Sequence, residues 1–219
     1  ALRRDTYTIL DVGCGSGHFV YSAIQNGIDV KGLDVSKSMV DFGNTQIRHK
    51  VKRTPLKHVD ETSFYKEIVD STAEVISAIG VIEHLRNPQL FFDAFKKSDA
   101  EFLYYSVPMF SNTVFFEVVH QQVFPRQLSG AHTHLFVEVS IKKMNSLIGV
   151  TPVAEWRFGT DMMDLFRMIM NQFNQCDVSD KFIEFFNEGF KNNIDPLQSV
   201  LDQKQFCSEI HLVARKISK

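Results

Sequence analysis

The sequence predicts an α/β protein built on a parallel, doubly wound sheet, and three observations carry that reading. Short apolar runs alternate with amphipathic segments through the first half of the chain, the pattern of strands joined by crossover helices. A glycine-rich turn, Asp11-Val12-Gly13-Cys14-Gly15-Ser16-Gly17, joins the first apolar run to the first amphipathic one. A second acid, Asp34, stands at the end of the second apolar run.

The elements follow in order. Residues 6–11 (TYTILD) read as the first strand. Residues 18–26 place Phe19, Val20, Ala23 and Ile24 on one helical face, and Gly27 suits the position just past the helix end. The second strand is 28–33, and Ser36 is placed to cap a helix carrying Met39, Val40 and Ile47. Residues 56–59 form a short third strand and 73–79 a fourth. Asn87-Pro88 sets a capping side chain before a proline in the first turn, opening a helix that buries Leu90, Phe91, Ala94 and Phe95. The fifth strand is 101–107.

After that the pattern changes. Residues 108–137 carry mixed signals and read as a long excursion over the strand ends. A helix over 140–148 closes at Gly149, and 151–157 is a strand whose Pro152 favours a sheet edge. Two Phe-rich helices come next, with Thr160 and Ser179 as their caps. The first carries Leu165, Phe166, Ile169, Met170 and Phe173, the second Phe182, Phe185, Phe186 and Phe190. A short helix is expected at Asp195-Pro196, and 206–215 closes the fold as the last strand. No linker interrupts the chain, so residues 1–219 read as one domain with helices inserted over 160–205. The absence of an initiator Met, with a strand so close to the start, reads as a piece of a longer protein.

Composition narrows the function. A chain of 219 residues that is 44% hydrophobic and 23% charged can bury an ordinary globular core. A net charge of -2 gives no reason to expect a nucleic-acid partner. Cys14, Cys176 and Cys207 are too few and too scattered for a disulfide framework or a zinc site, so a reducing, cytoplasmic setting is expected. No apolar run is long enough to span a bilayer, and no membrane partner is expected.

The loop carries the chemistry. Glycines accept positive φ and let a ligand approach the backbone, and the following helix presents unpaired N–H groups. Phosphate-binding loops use G-x-G-x-x-G. Here the spacing is G-x-G-x-G, with Asp11 two residues before the first glycine. A carboxylate at the mouth of the loop does nothing for an anion but favours a cation. Asp34 stands where a carboxylate accepts ribose hydroxyls. Together they fit an aminoacyl nucleoside without phosphate.

These residues resemble a known family. D-V-G-C-G-S-G followed by L-D-V-S is similar to motifs I and II of the class I S-adenosylmethionine-dependent methyltransferases, over residues 6–107 and more loosely to the end. V-I-E-H-L-R-N-P at 81–88 is similar to a segment of their small-molecule and glycan-modifying branches. The resemblance implies a Rossmann-like seven-stranded sheet whose last strand is antiparallel and lies beside the fifth. It implies S-adenosylmethionine as cofactor. Asp11, Gly13, Cys14, Gly15 and Gly17 would surround its methionine portion. Asp34 and Val35 would meet the ribose, Asp60 the adenine amino group, and the backbone around Ile79 would line the same pocket.

Methyl transfer is a displacement at carbon in which positioning supplies much of the catalysis, and an oxygen acceptor also needs a base. His84 follows the fourth strand, while His132 and His134 lie in the excursion, as does His120. His134 and His132 are the favoured bases; His84 equally suits a loop hydrogen bond. Glu83, His84, His132 and His134 would be the donors to a metal. Family members that use one carry E-x-x-E-H, and Gly80 occupies the first of those positions, so no metal is expected. Trp156 suits stacking on a ring, and Arg157 or Arg167 suits an anionic acceptor. The plainer reading is an edge strand entering a capped helix with Asp161 and Asp164 in its first turn.

The expected activity is methylation of a small molecule, first an oxygen of a sugar, glycan precursor or natural-product intermediate. A nitrogen or carbon acceptor and a non-catalytic cofactor-binding subunit are the alternatives. A nicotinamide dehydrogenase is disfavoured by the loop spacing. The Phe-rich helices read as core, and Phe166–Phe190 also suits a homodimer interface.

Overall fold

The structure, a computed structural model, describes residues 7–120, 125–128 and 132–217. Its first half alternates as the sequence predicts: β1 (Thr8–Val12), α1 (His18–Gln25), β2 (Asp29–Asp34), α2 (Lys37–Val51), β3 (Leu56–His58), α3 (Glu61–Val69), β4 (Val75–Ile79), a 3₁₀ turn (Ile82–His84), α4 (Pro88–Lys97) and β5 (Phe102–Pro108). Then come α5 (Asn112–Val119), α6 (Glu138–Ile148), β6 (Val150–Phe158), α7 (Asp161–Phe173), α8 (Asp180–Lys191), α9 (Ile194–Gln203) and β7 (Glu209–Lys216).

The strands form one seven-stranded sheet in the order β3-β2-β1-β4-β5-β7-β6. The first five pair in parallel. The last residue of β7 donates from its N–H to the carbonyl of Glu101, just before β5, at 2.8 Å. Ile217 likewise reaches Gly149, just before β6, at 2.9 Å. Both contacts set the end of β7 beside the start of a neighbour, so β7 runs antiparallel to each, as the resemblance implied.

Local chemistry explains most element ends. α1 stops at Asn26, where Gly27 takes φ 77° and the Ile28 and Gly27 amides donate back to Ala23 and Ile24. α4 starts with Pro88 in its first turn and the Asn87 side chain accepting from Gln89 N–H. Three expected caps act differently. Ser36, Thr160 and Ser179 precede their helices, but none accepts a helix N–H with its hydroxyl. Ser36 instead gives its own N–H to Asp34, and the Thr160 hydroxyl donates to Asp164.

Two helices were not legible in the sequence. α3 is capped by Asp60, which accepts from the Ser63 N–H at 2.7 Å, and it buries Phe64 and Ile68 one turn apart. α5 is rich in aromatic and β-branched residues that favour strands. Thr113 and Glu117 fix it as a helix by entering a buried polar network.

Contacts divide the chain into two compact units. One takes the described residues up to Val107, Glu138–Glu155 and those from His211 on. In it Val20, Ala23, Val30, Val40, Ile47 and Leu56 make one buried cluster of α1, α2, β2 and β3. α4 packs on α3 and α6 with Phe91 and Phe95 fully buried. β3 is only three residues long, and Asn44 of α2 holds it through both its amide N and O to Leu56.

The other unit is Pro108–Val137 with Trp156–Ile210. Its centre is polar. The fully buried Asp161 accepts from Ser111 Oγ at 2.5 Å, from Thr113 N and Oγ1 at 3.0 Å each, and from Gln198 Nε2 at 3.3 Å. Asp164 meets Thr113, Thr160, Arg126 and Arg167, and Glu117 accepts the backbone N–H groups of Arg126, Gln127 and Leu128. The first-turn acids of α7 are thus interior tethers rather than surface complements of a helix end. Phe166 stacks on Phe186 and Phe190, and Phe173 meets Phe182 and Phe186 edge-on, yet α8 buries no residue and Phe185 is 77% exposed.

Gly43 tests how α2 sits on the glycine loop. A Cβ there would lie 2.3 Å from the Ser16 carbonyl oxygen, a backbone atom. Alanine favours a helix interior by about 1 kcal/mol over glycine. Gly43→Ala is nevertheless expected to destabilise the chain by about 2 kcal/mol or more through overpacking. Chemical denaturation checks this, and a stabilised variant would contradict the packing.

Candidate functional site

The strand order reverses direction between β1 and β4, and the carboxyl ends of the strands flank a crevice at that point. The glycine loop lies there, pinned to β2 twice over. The Leu33 carbonyl accepts from Gly13 and Cys14 N–H at 2.8 and 3.0 Å. The Asp34 carboxylate accepts from Gly15 N–H through one oxygen and from Ser36 N–H through the other, both at 2.7 Å. Each oxygen keeps a second lone pair.

The three glycines do different work. All have positive φ. A Cβ at Gly13 would sit 2.6 Å from Val81, and one at Gly17 would sit 2.8 Å from Leu56, so both positions are set by packing. At Gly15 only Met39 comes within reach, at 3.9 Å, which leaves that stretch of backbone open to a ligand.

A cleft of about 740 Å³ opens beside this loop, within the first unit. Gly13, Asp34 and Val35 form one wall. Glu61, Thr62 and Tyr65 of α3 and Val81, His84, Leu85 and Arg86 after β4 contribute the others. The α3 contributors are not legible in the sequence, because α3 itself carries no clear helical signal there. The residues after β4 belong to the 81–88 segment singled out above.

Asp11 ends up buried beneath the loop, with Ser77 Oγ donating to it at 2.7 Å. Burial pushes its pKa up to about 7; the Ser77 hydrogen bond opposes that and the Asp34 charge adds to it. A carboxyl held at such a value is ionised near neutral pH when a positive charge comes beside it. Cys14 contributes only backbone here. Its thiol packs on Gly32 and the apolar cluster, and burial, followed by the Asp11 and Asp34 charges, raises its pKa far above the ordinary thiol range. Val35 is exposed on the cleft wall, and Ile79 ends β4 one residue before Gly80.

Asp60 is engaged as a cap: its Oδ1 accepts from Thr62 Oγ1, Ser63 N and Ser63 Oγ, and those bonds lower its pKa to about 2. His84 lies exposed on the cleft wall. His132 and His134 belong to the second unit. There His132 Nδ1 lies 3.1 Å from the Gln127 carbonyl, and His134 Nδ1 lies 2.8 Å from Thr133 Oγ1 with its ring near Phe136. His120 ends α5.

Residues 10–98 match the family model described as "Methyltransferase domain". A curated relative, a probable (S)-tetrahydroprotoberberine N-methyltransferase 2 of Papaver bracteatum, is 35% identical over 94 residues, 40% of this chain and 25% of that protein. The match spans about a quarter of the relative's length. Among solved structures, a SAM-dependent methyltransferase from Archaeoglobus fulgidus aligns over 97% of this chain and 87% of its own, with TM-score 0.56 and 16% identity. Magnesium protoporphyrin IX methyltransferase from Synechocystis PCC 6803, with bound SAH, aligns over 97% and 75%, with TM-score 0.60 and 14% identity. Residues 10–98 are therefore similar to a methyltransferase domain, and the fold is the Rossmann-like α/β fold of these solved methyltransferases. No described helix is long and apolar enough to cross a membrane.

Asp11 makes a stability prediction. Its folded pKa, about 7, lies above the ordinary carboxyl value of 3.8, so the folded chain holds the extra proton between those values. The associated stability is complete below the lower value and is lost as pH rises through the upper one, a total of about 4 kcal/mol. Asp11→Asn removes that dependence. Denaturation from pH 4 to 8 should show wild type losing stability relative to the variant up to about pH 7 and running parallel above it. Parallel curves throughout would contradict the burial of an ionisable Asp11.

Proposed function

We propose that this chain binds S-adenosylmethionine in the cleft beside the glycine loop and transfers its methyl group to a nitrogen of a small molecule. The observation that carries the reading is the pair of buried carboxylates, Asp11 and Asp34, at a loop whose backbone is open at Gly15. A desolvated carboxyl raised to about 7 suits a cationic ligand and opposes a phosphate. The donor set therefore fits an aminoacyl nucleoside bearing positive charge.

In this reading Asp34 takes the ribose hydroxyls on its remaining lone pairs while its loop bonds hold the glycine turn in place. Asp11 would supply negative charge for the positive end of the cofactor, with Ser77 fixing its orientation. Bound S-adenosylmethionine supplies a methyl group already activated by its sulfonium leaving group, and the chain's part is alignment. Among the described residues, His84 is the histidine that lines the cleft, and it takes the proton-acceptor role in this proposal.

The nitrogen acceptor is supported by the name of the curated relative, an N-methyltransferase. The oxygen acceptor expected from the sequence, on a sugar, glycan precursor or natural-product intermediate, gains no support from the comparisons.

The test has two stages. Calorimetric titration with S-adenosylmethionine and S-adenosylhomocysteine should show binding to wild type that is at least about tenfold weaker in Asp34→Ala, a loss of about 1.4 kcal/mol. Transfer of labelled methyl groups to a panel of small amines and matched alcohols should then favour the amines. Tight binding with no transfer to either set would overturn the transferase reading. Transfer confined to alcohols would overturn the nitrogen assignment.

A further inference from the structure

The chain's net charge of -2 conceals one cleft lined by an excess of cations. At the far end of α2 from Asp34, roughly 22 Å along a helix of 15 residues, lies a second cleft of about 680 Å³. Lys31, Arg48, Lys52, Arg53, Thr54 and Lys57 line it above a buried floor of Pro55 and Leu56. Five of the eight lining residues are cations and none is an acid.

Helix electrostatics explain only part of this. Arg48, His49 and Lys50 fall in the last turn of α2, where positive charge complements the carbonyl end. Lys31 on β2, Lys57 on β3 and Arg53 between α2 and β3 lie outside that helix end. Two of the cations are partly answered. Arg53 meets Asp29 at 3.1 Å and Lys57 meets Glu67 at 2.6 Å, both in solvent-exposed pairs that contribute little. Lys31, Arg48 and Lys52 join no ion pair among the described residues.

Lys52 adds an independent observation. It ends α2 with φ 53°, in the left-handed region. Glycine or asparagine is the usual residue at such a reversal, because a Cβ is disfavoured there. A lysine in that position keeps a cation on the rim of the cleft at a conformational cost.

We propose that this cleft binds a compact polyphosphate, a ligand with two or more phosphoryl groups, free or carried on a nucleoside. Arginine forks and lysine ammonium groups are the usual donors to phosphoryl oxygens, and the Thr54 hydroxyl adds a neutral one. The space is of small-molecule size. The charges converge on a concavity rather than tracking a face, and no aromatic side chain lines it for base stacking. Both features favour a compact anion over a nucleic-acid strand. The site is distinct from the cofactor cleft and does not depend on the methyltransferase reading.

The experiment titrates the full chain with inorganic tripolyphosphate, following heat or intrinsic fluorescence at low and physiological salt, with folding verified by a circular-dichroism melt. The variant is Arg48→Gln with Lys52→Gly; both residues are exposed, and the second change relieves the positive φ. Wild type should bind in a salt-dependent way, and the variant at least about tenfold more weakly with an unchanged or higher melting temperature. S-adenosylhomocysteine titration should be the same for both. Absence of tripolyphosphate binding by folded wild type, or equal binding by the variant, would overturn the site. A single-stranded RNA that binds more tightly than tripolyphosphate, and loses that affinity in the variant, would overturn the compact ligand.

Discussion

The anchorage of the glycine loop to the end of β2 is the constraint from which the rest of the site follows. The Leu33 carbonyl and the Asp34 carboxylate together receive the N–H groups of Gly13, Cys14, Gly15 and Ser36. Those bonds hold a loop with three positive-φ glycines in a single shape. The shape turns Gly13 onto Val81 and Gly17 onto Leu56, and brings the Ser16 carbonyl against Gly43 of α2. Loop, helix and neighbouring strands are therefore fitted to one another by contacts too close for any Cβ. What the arrangement leaves open is the backbone at Gly15, beside the cleft.

Charge is placed with the same economy. Asp11 is buried beneath the loop although burial disfavours its ionised form. A group that weakens the fold above neutral pH has no structural reason to be an acid, since an amide would accept the Ser77 hydrogen bond equally well. The arrangement makes sense when the missing half of an ion pair arrives with a ligand. In the second unit the logic is reversed. Asp161, Asp164 and Glu117 are satisfied by hydroxyls, backbone N–H groups and arginines of the chain itself, and they join α5, α7 and α9 into one body. Buried acids with several internal donors hold structure; Asp11 accepts from Ser77 among the described residues.

Much of this was legible in the sequence, for identifiable reasons. The antiparallel last strand is present as the family resemblance implied, and the alternating strands and helices of the first half and the Gly27 and Asn87-Pro88 boundaries are present as well. The signals behind them are local: apolar periodicity, a glycine with positive φ, a proline in a first turn. α5 was not legible because its residues favour strands and its helical form depends on Thr113 and Glu117 reaching partners far along the chain. α3 was hidden behind a third strand only three residues long that Asn44 completes from another element. Gly43 carried a readable signal, since a glycine inside a helix is unfavourable unless something presses on it. The roles of Asp161 and Asp164 were invisible because first-turn acids ordinarily face water. The basic cleft was masked by a balanced net charge; only the fold brings Lys31 beside Arg48 and Lys57.

The proposal that Asp11 pairs with a cationic cofactor is tested most directly by counting protons. S-adenosylmethionine is titrated calorimetrically at about pH 6.5 in buffers of different ionisation enthalpy, which separates proton release from binding heat. With a group near 7 that ionises on binding, wild type is predicted to release more than half a proton, and Asp11→Asn to release almost none while binding more weakly. Binding with equal proton counts in wild type and variant would contradict the account.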